Sequence, residues 1–111
     1  MAESSEQFLI VLTTAGSEAQ ALDIARGLVE RKLAACVNVA GGGCSIYRWQ
    51  GKIEEEDEHL LVVKTAERLL PEVRAAIREL HTYDVPEMVA VPISDGDPDY
   101  LRWLGESLAA R

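Results

Sequence analysis

Residues 8–13, FLIVLT, are apolar without interruption and rich in β-branched side chains, the pattern of a strand buried on both faces. The period then changes. Ser17 with Gln20 makes a capping-box signature, and Leu22, Ala25, Leu28, Val29 and Lys32 follow at helical spacing, predicting a helix over 17–32. Residues 35–39 resume strand character until Gly41, Gly42 and Gly43, which read as a bulge, a bend or a loop. Two strand-like arms then flank Gln50-Gly51, where Gly51 can take the positive φ of a two-residue hairpin loop. Leu70, Val73, Ile77 and Leu80 form a second helical stripe opening near Pro71, and Tyr83-Asp84-Val85-Pro86 ends it. Residues 88–93 read as the last strand. Asp97 and Pro98 look like the N-cap and first residue of a third helix, with Leu101, Leu104 and Leu108 as its buried stripe and Tyr100 and Trp103 flanking.

The order strand, helix, strand, strand, helix, strand, helix predicts an α+β fold: a ferredoxin-like βαββαβ antiparallel sheet with a long hairpin between its second and third strands and an extra C-terminal helix. One domain spans 1–111, with 1–6 expected to be a flexible N-terminus. Two helices cover one sheet face, so the other, expected to carry residues such as Ile10, Val37 and Val63, needs another subunit or the extra helix as cover. In the arm over 52–65, Ile53, Glu55, Asp57, His59, Leu61 and Val63 share one face, while Glu54, Glu56, Glu58, Leu60, Val62 and Lys64 share the other. Each face is charged near the turn and apolar further along, so the far half reads as core and the near half as a projection. This arm exceeds the usual strand of roughly 5–6 residues, and its open edges predict self-association.

Composition narrows the function. Eleven Lys and Arg against 19 Asp and Glu give a formal charge of −8, which repels phosphate backbones and argues against nucleic acid as a partner. No apolar run approaches the ~20 residues that cross a bilayer, and the acidic N-terminus does not resemble a secretory signal, so a cytoplasmic location is expected. Two cysteines, Cys36 and Cys44, form neither a CxxC pair nor a disulfide framework. No phosphate-binding P-loop, nucleophile elbow or His-Glu-x-x-His helix is present, so catalysis is not expected.

Four segments in order, ERKLAACVNV (30–39), SIYRWQGKIEEEDEHLLVVKT (45–65), HTYDVPE (81–87) and DYLRWL (99–104), resemble those of the CutA divalent-cation tolerance family. The resemblance implies a ferredoxin-like homotrimer in which hairpins of neighbouring subunits join sheets, related in fold to the PII signalling proteins. It also implies association with copper or other divalent cations, with no obligatory cofactor. Bacterial members with a proposed copper site supply a first-strand cysteine and two adjacent histidines before a Tyr-x-x-Pro-Glu motif. Here those positions are Thr13 and Leu80-His81, so only His81 carries over.

A single imidazole cannot hold copper(II) or zinc tightly, since such sites need three or four ligands. His81 is therefore read either as a helix-capping histidine or as a metal ligand or pocket residue. Cys36 is read first as a packed residue and second as a soft metal ligand, and Cys44 stays open between packing and exposure. The acids at 54–58 are split by strand alternation between two faces, which favours a solvated edge over a calcium or magnesium site. Tyr47, Trp49, Lys64, Tyr83, Glu87 and Trp103 fall in the shared motifs and are read as core or interface residues, or as the walls of an inter-subunit pocket.

Overall fold

In the computed structural model, which describes residues 6–110, the chain forms β1 (Phe8–Ala15), α1 (Glu18–Glu30), β2 (Cys36–Trp49), β3 (Lys52–Ala66), α2 (Leu70–Leu80), β4 (Val89–Pro92) and α3 (Pro98–Glu106). A 3₁₀ turn over Glu67–Leu69 leads into α2. The strands make one antiparallel sheet in the order β2-β3-β1-β4, the ferredoxin-like arrangement expected from the element order.

Helix α1 starts where Ser17 Oγ accepts a hydrogen bond from the Gln20 N–H, but only half of the capping box forms. The Gln20 side chain instead donates to the Leu80 carbonyl at the end of α2, tying the two helices together. Helix α3 opens as expected, with the Asp97 side chain accepting from the N–H groups of Asp99 and Tyr100.

Register decides which side chains meet the helices. Val11 lies opposite Val63 and Thr13 opposite Leu61, and this face packs on Ile24, Leu28, Val73 and Ile77. All eight are fully buried, and each large aliphatic among them contributes roughly 1.5–3 kcal/mol of apolar transfer. Val37 pairs with Val63, so these two residues belong to the covered face and only Ile10 points the other way. The expectation that all three share the open face was wrong because strand phase, unlike strand identity, depends on which residue meets its partner.

The second face carries Ile10, Leu12, Val62 and Leu60, with Val89 and Val91 of the edge strand 50% and 46% exposed. Helix α3 covers one end of it: Gly105 lies against the Phe8 ring, and Tyr100 sits 5.9 Å from the Lys64 ammonium. Arg68 anchors that end by donating to the Ala109 carbonyl at 2.7 Å and pairing with Glu6 at 2.8 Å. Glu6 is thus held, in contrast to its expected place in a flexible tail; the rest of that segment, residues 1–5, lies outside the described residues.

The hairpin runs past the layers. Principal extents of 52 × 25 × 23 Å and a radius of gyration of 14.9 Å exceed the ~13 Å of a compact chain this long. Gln50 and Gly51 both have positive φ, 50° and 82°, as a type I′ turn requires.

Candidate functional site

The glycine run resolves into a β-bulge: Ala40 faces Leu60 and Gly43 faces Glu58, leaving Gly41 and Gly42 against His59 alone. Gly42 takes a φ of 78°, while a Cβ on Gly43 would lie 3.1 Å from the Glu58 carbonyl. The bulge absorbs one extra residue of β2, and this has a geometric effect. Before it, Cys36, Asn38 and Ala40 share a face with Lys64, Val62 and Leu60; beyond it, Ser45, Tyr47 and Trp49 share that same face with Glu56, Glu54 and Lys52. Two aromatic residues thus reach the side on which Glu56 and Glu58 project, although unbroken alternation from Cys36 would have sent them to the other.

The opposing wall is the segment after α2. His81 ends the helix with its backbone N–H on the Ile77 carbonyl, but its ring turns inward. A backbone N–H can only donate, so Nδ1 accepts from Tyr83 at 3.1 Å, and Nε2 must carry the proton it gives to the Thr14 carbonyl at 2.6 Å. Both nitrogens are engaged, and the imidazole is only 8% exposed. The Tyr83 ring lies 4.4 Å from that imidazole, and its hydroxyl donates to Glu58 Oε2 at 2.7 Å. Gly16 makes room for it, since a Cβ there would stand 2.8 Å from the Tyr83 oxygen.

Between hairpin and loop lies a cavity of about 700 Å³, within the range of small-molecule sites. Tyr47, Trp49, Tyr83 and Glu87 line it, and so do Glu56 and Glu58. Burial holds the Tyr83 phenol well above its ordinary range, aided by its bond to Glu58 and by the charges of Glu58 and Glu56. Desolvation, followed by Glu56, Glu54 and Glu58, raises the Tyr47 phenol as well.

Two residues expected with this group in a pocket between subunits lie apart from it within one chain. Lys64 donates to Asn38 Oδ1 at 2.7 Å beneath Tyr100, and Trp103 packs with its ring tilted against Tyr100 in α3, centroids 5.5 Å apart. Glu58 was missed. Counted as part of a solvated acidic edge, it is 8% exposed, and the available signal was its phase, two residues from Leu60 on the same face.

The candidate metal ligands do not converge within one chain. Cys36 is half-buried opposite Lys64, whereas His81 sits at Thr14, which faces Leu60. Cys44 is exposed, and Thr13 is fully buried with no partner for its hydroxyl among the described residues. No three His, Cys, Asp or Glu side chains among the described residues are grouped to hold a metal ion. With both nitrogens of its ring committed, His81 does not fit a copper or zinc site.

Residues 9–107 match the family described as CutA1 divalent ion tolerance protein. The chain belongs to the CutA family. It is 50% identical over 98 residues to the divalent-cation tolerance protein CutA of Thermus thermophilus, covering 88% of this chain and 95% of the relative. A CutA homolog of Xenopus laevis is 48% identical over 93 residues, 84% of this chain and 62% of that longer protein. The solved structure of the Thermus thermophilus divalent cation tolerance protein superposes with a TM-score of 0.90 at 48% identity, covering 92% of this chain and 99% of that one. No helix among the described residues is long and apolar enough to cross a membrane.

Proposed function

We propose that this CutA family member acts without catalysis, as a cytoplasmic homotrimer, in tolerance of divalent metal ions, copper among them. The observation that carries the assembly is the second sheet face, whose edge strand leaves Val89 and Val91 half exposed, together with a hairpin at the opposite edge that projects from the body. The number three comes from the family resemblance. Light scattering at micromolar concentration is expected to give three times the 12.2 kDa chain mass, and a monomer overturns the proposal.

Cation association in this reading does not run through His81. Calorimetric titration with copper(II) and zinc is expected to give weak association with the acidic surface, unchanged in His81→Ala. Tight one-per-chain binding lost in that variant overturns it.

The cavity favours a second reading, a signalling or scaffold trimer of PII-like type that binds a small molecule where hairpin and loop meet. A thermal-shift screen of nucleotides, amino acids, amines and metals separates the two, since a ligand held only by the native state raises its stability. A shift from a metabolite with none from metals selects the second reading.

A further inference from the structure

We propose that the cavity between the hairpin and the Tyr83 loop binds an organic cation, an ammonium or guanidinium group on an apolar body, with Glu58 as counter-ion and Tyr47, Trp49 and Tyr83 as aromatic walls. The inference deepens the second reading above and rests on it.

Glu58 supplies the first argument. It is 8% exposed, its single side-chain hydrogen bond comes from the neutral Tyr83 hydroxyl to Oε2, and no ion pair to it forms among the described residues. No cation of the described residues balances its carboxylate, and a positively charged ligand would supply that partner. No hydrogen bond to the other carboxylate oxygen forms among the described residues, and the residue lines the cavity.

The lining supplies the second. Glu56, Glu58 and Glu87 line the cavity, and no lysine or arginine among the described residues of the same chain does. Asp84 also lines it but borders a smaller cavity beside Arg74 and Arg78, so the charge argument rests on the three glutamates. An anionic or phosphorylated ligand meets repulsion here with no basic group of the same chain to receive it.

The third argument separates an organic cation from a metal ion. Calcium and magnesium need six or more oxygens at short, fixed distances, and the described residues hold no such grouping. Tyr47 and Trp49 instead present half-exposed rings, 41% and 47% exposed, which attract diffuse, weakly hydrated cations through their quadrupoles. Aromatic faces with a buried carboxylate suit an alkylammonium or guanidinium far better than a strongly hydrated ion.

The test is calorimetry on the full chain with phenethylamine and agmatine as cationic probes and phenethyl alcohol and phenylacetate as neutral and anionic counterparts. Saturable binding of the cationic probes at up to millimolar concentration is expected, with both counterparts silent. Glu58→Gln is expected to weaken binding about tenfold or more. Trp49→Leu, at an exposed position that leaves the core intact, is expected to weaken it about fivefold, so the inference remains testable if Glu58→Gln folds poorly. Saturable binding of the alcohol or the acid as tight as that of the amine keeps a small-molecule site but overturns its cationic specificity. Silence from all four probes overturns both. A fall in scattered mass on adding phenethylamine assigns the cavity to the contact between subunits and overturns the inference as well.

Discussion

The two ends of one hairpin obey different rules. At its base, β3 is covered on one face: Leu61 and Val63 are fully buried under the helices, and register is enforced because a one-residue slip would turn them to the other face. Beyond the bulge the same strand has no layer beneath it, and Ile53 is two-thirds exposed. Covered by helices, a β-strand is specified by burial. Uncovered, it is specified by its turn, its bulge and its few cross-strand contacts, which leaves it free to build a site.

The contrast can be broken most severely at the base. Leu61→Ala is expected to cost about 2–5 kcal/mol by chemical denaturation, the usual range for a buried leucine. Next comes the link between tip and loop. Tyr83→Phe removes the donor to Glu58 and is expected to cost about 1.5–3 kcal/mol, as for a hydrogen bond to a charged group. Because the folded state raises the Tyr83 phenol above its unfolded value of about 10, this tyrosine's contribution is complete below that pH and is lost as alkalinity rises beyond it. Alkaline unfolding curves of the native chain and Tyr83→Phe should therefore differ in slope above that point. Gly42→Ala, strained by its positive φ though sterically open, is expected to cost about 1 kcal/mol. The smallest effect belongs to Ile53→Ala, within about 0.5 kcal/mol for the isolated chain. Under the proposed assembly its melting temperature departs from that of the unsubstituted chain only as protein concentration rises.

Much of this organisation is legible in the sequence because periodicity carries it. The strand at 8–13, the stripe on α2 and the Asp97-Pro98 helix start follow from spacing alone, and the βαββαβ order fixes the sheet. Gln20 was legible as a capping residue yet spends its amide on Leu80, a partner sixty positions away that no local signature announces. The site was half legible. Tyr47, Trp49, Tyr83 and Glu87 meet within one chain, whereas Lys64 and Trp103 lie apart from them in it, since shared motifs encode neither distance nor which subunit supplies a residue. Glu58 stayed hidden because its burial depends on Tyr83, a residue from beyond α2 that the fold carries back to the hairpin. His81 was placed correctly at a helix end, yet the use of its ring depends on the Thr14 carbonyl and the Tyr83 backbone, groups that composition cannot rank.

The three glycines have one more effect. Between the Ala40–Leu60 and Gly43–Glu58 pairs, β2 advances three residues while β3 advances two, so the hairpin carries a spare link on one side only. Taking that link out would straighten the strand and still leave Tyr47 across from Glu54. Taking out a second would leave β2 one short, and then either β3 must buckle in turn or the aromatic wall must change sides. Adding a glycine poses the same choice from the opposite direction. Most loops tolerate changes of length by degrees, whereas this arm has slack for a single deletion and none for an insertion, so a change that touches no cavity side chain can still dismantle the site.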